Sequence, residues 1–333
     1  MSTITTLIPA YKSQHLGELF LGLKTQSFRD FRVVLSDDSP GGAITDLIRR
    51  GAYDALIDTL DLLVVPGPRQ GSFRNVRHLL SHWGTTSPPV HLHMDDDVIY
   101  PDFYRLHAMT HASVPVGASV SQRWLTSAEG RPVAQLPLPD FIEQQAQRVV
   151  TIGRPLLYAS TIAVCQNWLG ECSNAVLSQA AARRLQTGHI GGLSYFGLGD
   201  IGVLLDVAQE APIAFVHDHL SGFRSHPAQA TAHVASHALR CGHLAWVALA
   251  LATHDVGLLP ESQARQAIGT ATRRCRQVYG SDPAFSEYFD LVAQCGEVPA
   301  RLSAPFRALW TRWIESEPES CSNEPIRQEA EAA

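Results

Sequence analysis

Short apolar runs rich in β-branched residues alternate with segments of helical periodicity over the first hundred residues of the chain. Period two alternating with period 3.6 is the sequence form of βαβ units, which build a mostly parallel sheet with helices on its faces. The spacing predicts strands at about Thr3–Ile8, Arg32–Ser36, Leu60–Val65 and Val90–Met94. Leu16, Leu19, Phe20 and Leu23 mark one intervening helix, and Gly41-Gly42 opens a second over Ala43 to Arg50. The expected class is therefore α/β, a mostly parallel, Rossmann-like central sheet flanked by helices. Parallel strands point their carboxyl ends at one edge, and in open α/β sheets that edge is where ligands sit.

Beyond Pro137-Leu-Pro139 the alternation loosens into an expected strand at Leu156–Val164, a helix at Ser178–Gln186 and a Gly-rich stretch from Gly188 to Gly202. From about Ala228 the period is helical. The expected division is a catalytic unit over 1–227, a helical region over 228–315 and a polar, disordered tail over 316–333.

Composition narrows the function. A net charge of -6 and a pI near 6.2 give a polyanion binder no basic surface, so nucleic acid is not an expected partner. Cysteines at 165, 172, 241, 275, 295 and 321 form no CxxC pair, which points to free thiols in a reducing cytoplasm. The opening Met1-Ser-Thr-Ile-Thr-Thr has neither the basic region nor the apolar run of a leader, and the longest apolar run, Leu244 to Ala252, falls short of the ~20 residues a membrane helix needs. A cytoplasmic protein is expected, with peripheral contact at the inner membrane face as an option. Leu302, Phe306, Leu309, Trp310 and Trp313 form an apolar stripe at helical spacing; it fits internal packing, or else a membrane surface or a second copy of the chain.

The chemistry concentrates at strand ends. Three consecutive carboxylates, Asp95, Asp96 and Asp97, follow the fourth strand directly. Clustered negative charge is most readily kept where a cation neutralises it, and hard oxygen ligands select magnesium, manganese or calcium over zinc. The plain alternative is a solvated acidic turn ahead of the helix near Pro101. Asp37-Asp38-Ser39 ends the second strand, with capping of the next helix as its plain alternative. Both sites open into the same crevice.

These residues resemble the opening of the family-2 glycosyltransferases. Thr6-Leu-Ile-Pro-Ala-Tyr11 is similar to that family's strand ending in I-P-x-Y, Gln26-Ser-Phe28 to its helix closing in Q-x-F/Y, and Phe31 to Ser39 to its strand ending in D-D-x-S. Gly71-Ser-Phe-Arg74-Asn75 is similar to G-x-x-x-A-R-N, with Phe73 where alanine is usual, and the triple aspartate to the D-x-D motif. The resemblance runs over about residues 3 to 227 and thins after Asp102.

It implies a glycosyltransferase A-type fold and transfer, with inversion, of a sugar from a nucleoside-diphosphate donor, a UDP-sugar in first place, onto a glycan, lipid-linked or protein acceptor. Pro9, Ala10, Tyr11 and Asp37 or Asp38 would surround the nucleobase and ribose. Asp95 and Asp96 would lie near the ribose and donor sugar, and Asp97 would hold Mn2+ or Mg2+. Arg74 would serve the nucleotide or its phosphates, unless it is an ordinary helix-surface arginine. Trp168 and Glu171 would line the donor or acceptor pocket, Trp168 packing in the core as its alternative. Asp200 stands where the family has its catalytic base, an N-cap being its other reading. Arg224 and His226 would reach the diphosphate or metal from a closing loop. Ala10, the Arg69-Gln70 pair and Gly199 before Asp200 depart from the family's usual residues.

Three other readings compete. An Asp-x-Asp after a strand also opens the haloacid-dehalogenase-type phosphatases, but those use a downstream lysine and none follows Lys24 here. The domain could bind a nucleotide sugar without turning it over. A zinc site from His217, His219 and His226 is conceivable by ligand type.

Overall fold

The computed structural model describes residues 4–83, 89–225 and 234–316. The tail after 316 and His226 lie outside the described residues.

The strands are β1 (Ile4–Ala10), β2 (Phe31–Asp37), β3 (Leu62–Pro66), β4 (Val90–Leu92), β5 (Val98–Ile99), β6 (Ala118–Thr126), β7 (Pro132–Gln135), β8 (Val149–Ile152), β9 (Ala175–Leu177), β10 (His189–Ile190), β11 (Leu193–Ser194) and β12 (Ile213–Arg224). One sheet runs in the order β3-β2-β1-β4-β9-β6-β12-β5, with β7 on β6 and β8 on β12; β10 and β11 pair separately. Its first half, β3 to β4, is parallel throughout. Beyond β4, β9 runs antiparallel and restores the direction in β6, which pairs in parallel with β12.

Both faces of the sheet are covered, which is why its strands read as continuous apolar runs. Ile4 and Ile8 of β1 point into a core shared with Leu16, Phe20, Phe103 and Tyr104, while Leu7 points into the opposite core. That second core is continuous with the C-terminal helices His237–Asp255, Glu261–Tyr279, Ser286–Cys295 and Pro299–Glu315. The apolar stripe of the last helix lies inside it: Leu302, Phe306, Leu309 and Trp310 are at most 1% exposed, and the Trp310 Nε1 donates to the Ser194 carbonyl at 2.8 Å. These four residues are thus internal packing, and the half-buried Trp313 lies edge-on to Phe285 at 4.9 Å. No helix among the described residues is long and apolar enough to cross a membrane.

The expected strand at Leu156–Val164 is a helix, Arg154–Ser160, followed by turns. Pro155 sits in the first helical turn, where its fixed φ favours a helix and its missing N–H costs nothing. The Tyr158 hydroxyl then donates to the Leu205 carbonyl at 2.9 Å, fixing the helix against its neighbour. The expected helix at Ser178–Gln186 forms as an α-helical turn, Gln179–Ala182, running on into a 3-10 turn, with Ser178 as its N-cap.

Candidate active site

The parallel half of the sheet ends on a level edge. Ala10 is in register with Asp37, and Asp37 with Pro66. The Asp38 N–H continues this step to the Ala10 carbonyl at 2.8 Å, and the Gly67 N–H to the Asp37 carbonyl at 2.8 Å. The Asp37 carboxylate accepts from the Ser39 N–H at 3.0 Å and hydroxyl at 2.5 Å, and from the Thr45 N–H at 2.7 Å and hydroxyl at 2.6 Å. Burial pushes its pKa up, but these four donors outweigh that and leave it below the usual carboxylate range. Asp37 therefore ties the strand end to the first turn of helix Ala43–Arg49, where a carboxylate also meets the positive end of the helix. Asp38, also buried, accepts from the Arg69 N–H.

The acidic turn after β4 starts where the His93 N–H meets the Leu7 carbonyl at 2.9 Å. Asp95 Oδ2 accepts from the backbone N–H groups of Tyr11 at 2.7 Å and Lys12 at 2.9 Å, drawing the loop after β1 against the turn. Pro9, Ala10 and Tyr11 are thereby brought beside Asp95, while Ala10 also carries Asp38. Burial raises the Asp95 pKa to about 6 despite those two donors, with the charge of Asp96 adding to the rise.

Asp97 is held deeper. Its Oδ1 accepts from the Arg224 N–H at 3.1 Å, and the Ser173 side chain bonds to it as well. Burial, the charge of Asp96 and the charge of Glu171 together push its carboxyl well above the usual range. An ionised Asp97 is thus short of positive charge, the electrostatic condition under which a buried carboxylate accepts a cation.

Two further carboxylates come to the same place from the second half of the chain. Glu171 pairs with Arg123 of β6, and burial raises its pKa although that guanidinium opposes the rise. Asp200 stands in the first turn of helix Gly199–Val207 and its Oδ1 accepts from the Cys172 N–H at 2.9 Å. The charge of Asp200 bears on Glu171 and that of Glu171 on Asp97, so the three are electrostatic neighbours. Ser173 joins this segment to the acidic turn, its hydroxyl accepting from the Met94 N–H at 3.1 Å. Cys172, between Glu171 and Ser173, has its thiol pushed well up, by burial first and then by Asp200.

The other expected residues are placed differently. Arg74 is exposed in the first turn of helix Ser72–Trp83. Trp168 is buried, its ring against Phe141 and Phe215 and its Nε1 donating to Ser160 at 3.3 Å, a packing arrangement. Arg224 is fully buried, with its guanidinium on protein atoms. His219 stacks on Trp124 at 4.1 Å and bonds Gln135 at 3.1 Å, and His217 packs edge-on against Phe215. No group of three or more His, Cys, Asp or Glu that could hold a metal ion is found among the described residues, and His226, the third histidine of the zinc reading, lies outside them. A cation at Asp97, with Asp96 beside it, fits the hard-oxygen chemistry of the turn and would take the rest of its shell from solvent or a diphosphate.

Sequence reasoning missed Ser173, Arg123 and Glu18. Ser173 lay inside the Trp168-to-Asn174 run and carried a signal; Arg123 and Glu18 had none, because their partners Glu171 and Arg224 are remote in sequence.

No family model and no curated protein sequence matches the chain. Among solved structures it is similar to S. aureus TarS at a TM-score of 0.58 and 14% identity, over 95% of this chain and 53% of that one. The chain thus spans about half the length of that TarS structure. It is similar to S. aureus TarS 1-349 in complex with UDP-GlcNAc at a TM-score of 0.54 and 14% identity, covering 95% and 93% of the two chains. It is similar to the mannosyltransferase PcManGT from Pyrobaculum calidifontis, in complex with GDP-Man and Mn2+, at a TM-score of 0.50 and 18% identity, covering 94% and 86%. The likeness is one of fold, and that fold is the glycosyltransferase A type the sequence resemblance implied.

Proposed function

We propose that this fold carries a glycosyltransferase, which moves a sugar from a nucleoside-diphosphate donor to an acceptor hydroxyl with inversion at the anomeric carbon. The observation that carries the reading is the convergence of Asp97, Glu171 and Asp200 beside the carboxyl edge of the parallel strands, with Asp97 and Glu171 both raised in pKa. Solved structures of similar fold hold UDP-GlcNAc and GDP-Man, which supports a UDP- or GDP-linked donor.

In this reading Pro9, Ala10, Tyr11 and Asp38 form the wall against the nucleobase and ribose, and Asp37, held by Ser39 and Thr45, fixes the strand end behind it. Asp95 shapes that wall by holding the Tyr11 loop. Asp96 faces the donor, and Arg74, on the exposed first turn of its helix, serves the phosphates, where a guanidinium fork suits oxyanions. Asp97 is the carboxylate for Mn2+ or Mg2+, and His226 would join it from beyond the described residues. Such an ion would supply charge neutralisation of the departing diphosphate. Asp200 removes the proton of the acceptor hydroxyl as it attacks, while Glu171, anchored by Arg123, stands beside it on the same segment as Cys172, whose N–H holds Asp200 Oδ1.

The test is binding and hydrolysis of a panel of UDP- and GDP-sugars with Mn2+, Mg2+ or chelator. Asp200→Asn should retain donor binding and lose turnover by about 10²–10⁴-fold. Donor binding with no turnover in the wild type would leave a binding protein. Absence of any metal-dependent donor binding would sink the glycosyltransferase reading.

A further inference from the structure

Arg224 ends β12 and is fully buried, yet it touches three separate pieces of the chain. Its backbone N–H donates to Asp97 Oδ1 at 3.1 Å and its Nε to the Asp96 carbonyl at 2.6 Å, fixing two successive residues of the acidic turn. Its Nη1 donates to the Ala128 carbonyl at 2.6 Å, in the turn between β6 and β7. Its Nη2 pairs with Glu18 of helix Leu16–Lys24. Gly130, at φ 75°, closes that turn over the guanidinium: a Cβ there would lie 3.2 Å from both Nη atoms. The guanidinium is out of reach of solvent and its directions are used on protein oxygens.

We infer that Arg224 is a positioning residue for the acidic turn, and that binding of a divalent cation and donor at Asp95–Asp97 depends on its ion pair with Glu18. The inference deepens the proposed function and rests on it. Only a planar fork can address the Asp96 carbonyl, the Ala128 carbonyl and the Glu18 carboxylate at fixed angles; an ammonium is a single point of charge. Removing the Glu18 charge changes the field at one arm of a buried fork whose other arms hold the Asp96 and Ala128 carbonyls, so the fork reorganises with them. The atoms that would shift first belong to the turn that holds Asp97. Residues that orient a metal's ligands without touching the metal tune its affinity in this way.

The experiment uses the full chain and Mn2+ itself, with binding followed by the electron paramagnetic resonance of free Mn2+, then UDP and GDP affinity at saturating Mn2+, and a thermal melt of each protein. Glu18→Gln, at a half-exposed position that leaves the core intact, should weaken Mn2+ binding by about 10–100-fold while the melt stays cooperative. Arg224→Lys, which keeps the charge and loses the fork, should weaken it as much. If Arg224→Lys fails to fold, Glu18→Gln decides alone. Asp218→Asn removes the Arg148 pair on the same strand, and should leave Mn2+ affinity unchanged. Folded Glu18→Gln protein with wild-type Mn2+ and nucleotide affinity would overturn the inference and leave the proposed function standing. A wild type without Mn2+ affinity would overturn the metal reading and the inference with it.

Discussion

The carboxylates that end β2 and those that follow β4 lie on one edge of one sheet, and Asp37 and Asp97 are both at most 4% exposed. Four donors from Ser39 and Thr45 surround Asp37, and its pKa falls. Asp97 has the Arg224 N–H and Ser173 against the charges of Asp96 and Glu171, and its pKa rises. Burial raises both, and more strongly at the deeper Asp97; the four donors around Asp37 outweigh it, whereas at Asp97 the charges of Asp96 and Glu171 add to it. A carboxylate satisfied by its own fold reads as a structural part; one left short of positive charge fits the cation that the proposed function places at Asp97.

The largest effect that could break this contrast is expected at Asp97. Asp97→Asn should lower donor turnover by about 10²–10³-fold or more, with a melting temperature equal to or above that of the wild type. A large loss of stability with turnover kept in the folded fraction would make Asp97 another Asp37. The converse is expected at Asp37: removing its charge weakens charge-assisted hydrogen bonds and should destabilise the fold by about 2 kcal/mol at pH 7, read by denaturant titration. A depressed folded pKa means this contribution is present above the unfolded value of 3.8 and is lost as pH falls through the lower folded one. The stability gap between Asp37→Asn and wild type should therefore close below about pH 3.8.

Asp95 gives the smallest and most discriminating test. Its folded pKa of about 6 lies above the unfolded 3.8, so its ionised form costs the fold stability above about pH 6, and that cost is relieved as pH falls towards 3.8. Asp95→Asn, which can still accept from the Tyr11 and Lys12 N–H groups, should gain on the order of 1–2 kcal/mol at pH 7. The gain should vanish by about pH 4. A gain independent of pH would mean packing, not charge, and would remove the electrostatic half of the contrast.

The parallel half of the sheet was legible because each element is local: an apolar run, a helical period, a Gly-Gly turn, an acidic strand end. The second half was not. The short β9 slots between β4 and β6 to link the two parallel groups, a pairing no local period encodes. Leu156 to Val164 has strand composition, but Gly153-Arg-Pro155 starts a helix before that composition can act. Trp168 and the 302–313 stripe each had more than one reading, and burial in the shared core selects packing for Trp168 and for the stripe's Leu302, Phe306, Leu309 and Trp310.

The sequence by itself determined the class of sheet, the edge at which the strand-end carboxylates gather and the residue types found there, because hydrophobic period and strand-end position are properties of neighbouring residues. Only the tertiary structure decided which carboxylate is satisfied and which is not. Thr45 reaches Asp37 from 8 positions away, whereas Arg224 reaches Asp97 from 127 and Glu18 from 206. A charge's free energy depends on the donors and burial around it, and those are fixed only once distant segments meet.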